Sequence, residues 1–193
     1  NAGSLLTSGN LNVLVGYDAG RTMTSGVQNV VIGPNAFRLG TSGSRGVYIG
    51  SGSGDALTTS SNNVAVGYGT LSSAGDGDEN VALGYTSLLS NTTGSRNTAV
   101  GFDSLSSNTI GSDNIALGRS ALTLNTIGSQ LIAIGKSALT ASVNATGSIA
   151  IGHNSLAVST GSDNIALGRF SGSNITSGTG NIMIGTSTQA TSP

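Results

Sequence analysis

The sequence predicts an all-β fold, a parallel β-solenoid (β-roll) of about eleven coils. A short apolar run ending in glycine recurs along the chain, for example NVALG at 80–84 and NIALG at 114–118. The terminal glycines are 17 residues apart, except for one spacing of 16 between Gly152 and Gly168. No stretch keeps the apolar spacing of a helix. A fixed period of this kind is typical of repeat proteins whose units stack on their neighbours. We call the terminal residues the anchor glycines: Gly16, Gly33, Gly50, Gly67, Gly84, Gly101, Gly118, Gly135, Gly152, Gly168 and Gly185.

The residues three and one before each anchor glycine, here the flanking columns, are nearly all Val, Ile or Leu, as in Ile115 and Leu117. Residues two apart share one face of a strand, and β-branched side chains favour strands. We therefore predict that each run is a strand and that the flanking columns form the interior of the coil.

The residue between them, the middle column, is never charged, and seven of its members are alanine. A strand that is apolar on both faces is covered on both faces, and small side chains permit close approach. We therefore predict that the middle column packs against another copy of the chain. Its alanines are Ala65, Ala82, Ala99, Ala116, Ala133, Ala150 and Ala166.

Three further columns complete the predicted coil. The leucine column, four residues after the anchor glycine, should close the coil with its side chains inward; it holds Leu71, Leu88, Leu105, Leu122, Leu139 and Leu156. The asparagine column, four residues before, should form hydrogen bonds along the axis; examples are Asn97 and Asn114. The threonine column, nine residues before, is read as a β-branched stacking column, as at Thr109 and Thr126.

Composition limits the function. Charged residues make up 8% of 193 residues and the net charge is −1, so the basic face that nucleic-acid binding requires is missing. The chain has no cysteine and no apolar run long enough to span a membrane. We expect one solenoid domain over 1–193, a fragment of a longer fibre. Its central regular repeats should cover 60–158, and atypical end repeats should cover 1–59 and 159–193.

The sequence contains no set of residues that would support catalysis. His153 is the one histidine and occupies a repeat position, so no nucleophile–base pair can be proposed from spacing. We therefore expect no enzymatic activity and no cofactor. The acidic run Asp76, Asp78 and Glu79 offers calcium-type oxygens, but its ligands are too few, and we interpret it as a solvated turn without a metal.

One column changes chemistry along the predicted axis. This is the ladder column, one residue after the anchor glycine, and it runs from aromatic to basic: Tyr68, Tyr85, Phe102, Arg119, Lys136, His153 and Arg169. Aromatic rings stack on sugar faces and cations hold acidic groups, so the column is the candidate binding surface. The alternative is an exposed ladder whose long side chains cover a neighbouring chain.

The stretch SNTTGSRNTAVGFDSLSSNTIGSDNIALGRSAL closely resembles repeats of phage tail-fibre proteins and bacterial surface proteins. The SIAIG and NIALG cores are also similar to the head repeats of trimeric autotransporter adhesins, although the present repeat is longer. The resemblance implies a left-handed roll, three chains side by side, and binding to a host surface.

These observations favour a structural and adhesive fibre segment, on a virion or a cell surface and therefore extracellular. Its partners would be two further copies of the chain and a surface glycan or host receptor. Two alternatives remain: an extracellular filament subunit whose ends stack, and a monomeric solenoid that binds carbohydrate or ice.

Overall fold

The computed structural model describes residues 1–73 and 75–189, and it confirms the parallel β-solenoid. Its eleven strands are β1 (Val13–Val15), β2 (Val30–Ile32), β3 (Val47–Ile49), β4 (Val64–Val66), β5 (Val81–Leu83), β6 (Thr98–Val100), β7 (Ile115–Leu117), β8 (Ile132–Ile134), β9 (Ile149–Ile151), β10 (Ile165–Leu167) and β11 (Ile182–Ile184). Consecutive strands pair in parallel and form one sheet in sequence order. The described residues contain no helix, and hence none able to cross a membrane.

Each strand pairs in register with the next coil, so equivalent residues lie side by side along the axis. Ile115 pairs with Ile132, Ala116 with Ala133, and Leu117 with Ile134. The 16-residue coil keeps this register, because Ala166 still pairs with Ala150. A column in the sequence is therefore a straight row of side chains in the structure.

The prediction of which strand face points inward was wrong. The middle-column alanines are fully buried within the single chain, whereas the flanking columns lie on the outer surface. The predicted contact face Ala65, Ala82, Ala99, Ala116, Ala133, Ala150 and Ala166 is thus the interior of the coil. Alanine recurs there because the opposite wall already fills the narrow interior with leucine, not because a second chain approaches.

The inward leucine column is confirmed, since all six leucines from Leu71 to Leu156 are fully buried. Together with the middle column they form a continuous core along the axis. The core is thin, with roughly one alanine and one leucine per coil. A single coil therefore cannot bury enough apolar surface to fold alone, and neighbouring coils stabilise one another.

The third coil fills the same volume with different residues. Tyr48 replaces the middle alanine, and Gly54 stands in the leucine column. A Cβ on Gly54 would lie 2.4 Å from Cδ1 of Tyr48, and a Cβ on Gly46 would lie 2.3 Å from its Cε2. The ring also stacks on buried Phe37 at 4.3 Å between centroids. Core volume is therefore conserved although residue identity is not.

The predicted asparagine hydrogen bonds along the axis are confirmed. The Asn97 side-chain oxygen accepts the backbone N–H of Asn114 at 3.0 Å, and the Asn97 side-chain nitrogen donates to the carbonyl of Gly111 at 2.9 Å. These bonds satisfy buried backbone groups at a corner of the coil that lies outside the three-residue strands.

A second buried asparagine row, absent from the sequence prediction, lies elsewhere in the interior. The side-chain nitrogen of Asn108 donates to the oxygen of Asn91, and that of Asn125 donates to the oxygen of Asn108, both at 2.8 Å. We call Asn91, Asn108 and Asn125 the inner asparagine row. It crosses three consecutive coils and ties them together through side chains.

The anchor glycines are required by close packing between coils. Gly118 has φ of 128°, and a Cβ there would lie 2.8 Å from the carbonyl carbon of Gly135. Each anchor glycine up to Gly168 meets the next one in this way. Glycine therefore recurs with the 17-residue period because a side chain at this position would clash with the next coil.

Candidate functional site

The aromatic half of the ladder column forms a stack on the outside of the solenoid. The rings of Tyr68 and Tyr85 lie 5.3 Å apart at 11°, and those of Tyr85 and Phe102 lie 5.1 Å apart at 7°. Tyr68 is 57% exposed, Tyr85 is 49% exposed and Phe102 is 46% exposed. The spacing follows that of parallel strands, about 4.8 Å, because each ring sits at the same position of its own coil. We call Tyr68, Tyr85 and Phe102 the aromatic stack.

The next ladder residue covers one end of this stack. The guanidinium carbon of Arg119 lies 5.9 Å from the centroid of the Phe102 ring. Cations at this distance are attracted to the face of an aromatic ring. The aromatic stack therefore has a cationic end at Arg119, and its other end is at Tyr68.

The basic half of the ladder column does not continue the same arrangement. His153 meets the edge of Phe170 at 5.2 Å, and Arg169 lies over the same ring at 5.2 Å. Lys136 is exposed and has no ion pair or ring contact among the described residues. The seven predicted residues thus form the aromatic stack with Arg119, a separate cluster at the other end, and Lys136 between them.

Phe170 was missed by the sequence prediction. It lies two residues after its anchor glycine, in the position occupied by Ser120, Ser137 and Asn154 in the three preceding coils. A bulky aromatic residue in a column of small polar ones was the signal. The 16-residue spacing just before it was a second sign that this coil differs.

A shallow pocket of about 430 Å³ adjoins the open end of the aromatic stack. Its wall includes Tyr68 together with the polar residues Asn35, Ser51, Asp55, Ser72 and Thr86. These residues come from four consecutive coils, and only the solenoid brings them together. Apart from Tyr68, none was identified from the sequence.

The carboxylate in this pocket is held by an ion pair. Arg38 donates to both oxygens of Asp55, at 2.8 Å from Nε and 3.2 Å from Nη2. The hydrogen bonds and charge of Asp55 raise the pKa of the Arg38 guanidinium above its ordinary value. Because bidentate pairing fixes the carboxylate plane, Asp55 presents an ordered acceptor to the pocket.

A second candidate surface is the outer face of the sheet, which we call the outer aliphatic face. It consists of the two flanking columns over all eleven strands, and 21 of its 22 residues are Val, Ile or Leu, the exception being Thr98. Their side chains are half-buried to exposed along the full length of the sheet. No charged residue interrupts it, so it is a continuous apolar strip.

The threonine column uses its hydroxyl groups within the solenoid. Thr92, Thr109 and Thr126 each donate from Oγ1 to the carbonyl of the equivalent residue in the next coil, at 2.9 to 3.1 Å. Their hydroxyl protons are therefore engaged along the axis instead of directed to solvent. This geometry gives no support to an ice-binding face.

The acidic run also serves the fold. Asp76 Oδ1 accepts the backbone N–H groups of Thr58 and Thr59 at 2.9 and 2.8 Å, in place of a carbonyl of the next coil. Partial burial opposes ionisation of Asp76, but the hydrogen bonds from Thr59 and Thr58 hold the pKa of its carboxyl below the ordinary value. Among the described residues no group of three or more His, Asp or Glu side chains could hold a metal ion.

No protein-family model matches the chain, and no curated protein or solved structure matches it significantly.

Proposed function

We propose that the chain is a structural and adhesive segment of an extracellular fibre, assembled as a parallel homotrimer through the outer aliphatic face. The observation that carries the proposal is this face itself. Soluble monomers rarely expose large contiguous apolar patches, and an exposed strip of this size marks an interaction site. The resemblance of the repeat to fibre and adhesin-head repeats supports three chains as the assembly and a left-handed winding, which stays a prediction.

The outer aliphatic face is long, narrow and apolar along its whole length. Eleven strands at about 4.8 Å make it about 50 Å long, and two columns about 7 Å apart make it about 10 Å wide with side chains. Three copies meeting along a common axis would cover roughly 500 Å² of each chain. This area is below the usual size of a pairwise interface, so the trimer would depend on the apolar character of the whole strip. A basic partner fits less well because the strip carries no charge, and a membrane fits less well because the strip is only about 10 Å wide.

The repeat itself favours identical partners in parallel. Every coil presents two outward side chains at the same spacing, all of them Val, Ile or Leu except Thr98, so a second copy in the same direction can meet it at all eleven levels. If one flanking column packs against the other flanking column of a neighbouring chain, the same contact repeats in every coil. The regular repeat therefore makes the outer aliphatic faces of parallel copies complementary in shape.

Sedimentation equilibrium tests the assembly. We expect a mass of about three times the 18.8 kDa chain, and dissociation to folded monomers when Ile132 in the outer aliphatic face is changed to Glu. Ile127→Glu is the matched control, because Ile127 is equally apolar and 50% exposed but lies outside the strands. A folded wild-type monomer, or a trimer that survives Ile132→Glu, would overturn the proposal. Electron microscopy of the same sample separates discrete trimers from end-to-end filaments.

The adhesive part of the proposal rests on the ladder column. The aromatic stack places three exposed rings in one row, with the cation of Arg119 at one end. Such a row suits a surface glycan, since the exposed ring edges and the uncovered face of Tyr68 are apolar contact surfaces and the cation suits an acidic group. Fibre segments of this kind need no catalytic chemistry, only recognition and length.

A further inference from the structure

The aromatic stack is closed at one end and open at the other. Phe102 is covered by Arg119, and Tyr85 lies between two rings. Tyr68 has a ring neighbour on one side only, because the ladder residue of the preceding coil is Ser51. One face of the Tyr68 ring is therefore free of aromatic neighbours, and the pocket lies beside this residue.

The polar groups around this ring have unused hydrogen-bonding capacity. Among the described residues, the side chains of Asn35, Ser51 and Ser72 form no hydrogen bonds with the protein. The Asp55 carboxylate has lone pairs left after its ion pair with Arg38. An amide, two hydroxyls and a carboxylate thus line the same pocket as one aromatic ring.

Two glycines provide the space. Gly52 and Gly69 line the pocket and have φ of +65° and +58°. The same column holds side chains at the same backbone angle in other coils, such as Asn35 at 56° and Ser137 at 55°. A Cβ on Gly52 would meet nothing within 4 Å, and a Cβ on Gly69 would come no closer than 3.7 Å to a neighbour. The fold therefore does not need glycine at these two positions, whereas the pocket does.

We propose that this pocket binds a neutral hexopyranose, with its apolar C–H face on the free face of Tyr68. The sugar hydroxyls would donate to Asp55 and exchange hydrogen bonds with Asn35, Ser51 and Ser72. A pocket that combines an aromatic wall with a few convergent polar groups is the usual form of a small-ligand site. The Asp55 charge disfavours acidic sugars, which the cationic end of the ladder column would attract instead. This inference rests on the adhesive part of the proposed function and makes no use of the trimer interface.

Titration of the assembled protein with methyl β-D-galactopyranoside, methyl β-D-glucopyranoside and methyl α-D-mannopyranoside tests the site. Saturation-transfer NMR and Tyr fluorescence report binding. We expect at least one glycoside to bind with a Kd on the order of 1 mM, as suits a ligand of its size. N-acetylneuraminic acid should bind this site more weakly than the best of the three.

Two variants attack the site without disturbing the fold. Tyr68→Ser introduces the residue found one coil earlier, and Gly69→Asn introduces the residue that Asn35 and Asn154 place at the same backbone angle. Each should weaken binding about tenfold or more, because one removes the stacking surface and the other fills the pocket. Ser137→Asn is the matched control, since it makes a similar change in the same column three coils beyond the pocket.

The outcomes separate this inference from the proposed assembly. Absence of saturable binding by all three glycosides, or binding that both variants leave unchanged, would overturn the sugar site. Stronger binding of N-acetylneuraminic acid that Tyr68→Ser abolishes would also overturn it as stated. A monomeric mass with intact binding would overturn the trimer and leave the site standing.

Discussion

Ile115 and Ala116 are adjacent in strand β7 and lie on opposite sides of the solenoid wall. Ile115 is 38% exposed on the outer aliphatic face, whereas Ala116 is completely buried inside the coil. The larger side chain thus faces outward and the smaller one inward, because Leu105 and Leu122 already occupy the interior of these coils.

This arrangement predicts opposite effects for two charged substitutions. Ala116→Glu should unfold the central coils or lower the free energy of unfolding by several kcal/mol, since it buries a carboxylate with no partner. Ile115→Asp should leave the coil folded and abolish chain association. Circular dichroism on heating reports folding, and sedimentation reports association. A folded Ala116→Glu protein together with an unfolded Ile115→Asp protein would contradict the orientation.

The strand positions were predictable because each coil needs a glycine where its backbone contacts the backbone of the next coil. The anchor glycines record this contact, so counting back from Gly118 locates Ile115–Leu117 directly. The inward face was not predictable in the same way. A three-residue strand places two residues on one side and one on the other, and both sides are apolar here. Which side is the interior depends on the width of the coil, and the 17-residue repeat length does not determine this width.

The candidate site was predictable only where it follows a single column. The aromatic stack arises from equivalent positions in successive coils, so alignment of the repeats was enough to find Tyr68, Tyr85 and Phe102. The pocket is lined by residues from different columns, such as Asn35 and Asp55. It also includes glycines, which contribute space because they have no side chain. Its polar residues are common in the chain, and only the fold shows that they meet at Tyr68.

Tyr48 and Gly54 should be energetically coupled because they share one core volume. Tyr48→Ala alone should cost about 3–5 kcal/mol by leaving a cavity. Gly54→Leu alone should also destabilise, because the leucine would overlap the Tyr48 ring. The triple change Gly46→Asn, Tyr48→Ala and Gly54→Leu gives this coil the residues of the following one and should recover much of the lost stability.

Urea denaturation of the two single variants and of the double variant Tyr48→Ala, Gly54→Leu measures this coupling. Gly54→Leu is acceptable to the backbone, since Leu71 adopts φ of 49° where Gly54 has 61°. The coupling free energy should be large and favourable. Strictly additive effects would show that Tyr48 and Gly54 do not compete for the same space.

The inner asparagine row should be extendable by one residue. The side-chain oxygen of Asn125 is buried without a hydrogen-bond partner, as is the hydroxyl of Ser142, which holds the equivalent position in the next coil. Ser142→Asn would donate to Asn125 as Asn125 donates to Asn108. We expect stabilisation of about 1 kcal/mol, the usual contribution of one added hydrogen bond.

Ser142→Ala is the control for this prediction, because it removes the unsatisfied hydroxyl without supplying a donor to Asn125. The denaturation midpoint should rise more for Ser142→Asn than for Ser142→Ala. Equal or reversed midpoints would mean that the oxygen of Asn125 is already satisfied in solution.

The buried phenol of Tyr48 should make the protein less stable at alkaline pH. Burial raises the pKa of the Tyr48 hydroxyl to about 12, against about 10 in an unfolded chain. The native state thus holds this proton where the unfolded state releases it. The associated stability, about 2–3 kcal/mol, is fully present below pH of about 10 and is lost as the pH rises towards about 12. The ultraviolet absorbance of tyrosinate should show a late step that belongs to Tyr48, and Tyr48→Phe should remove both that step and part of the alkaline loss of stability. If Tyr48→Phe unfolds with the same pH dependence as the wild type, the hydroxyl is not the group responsible.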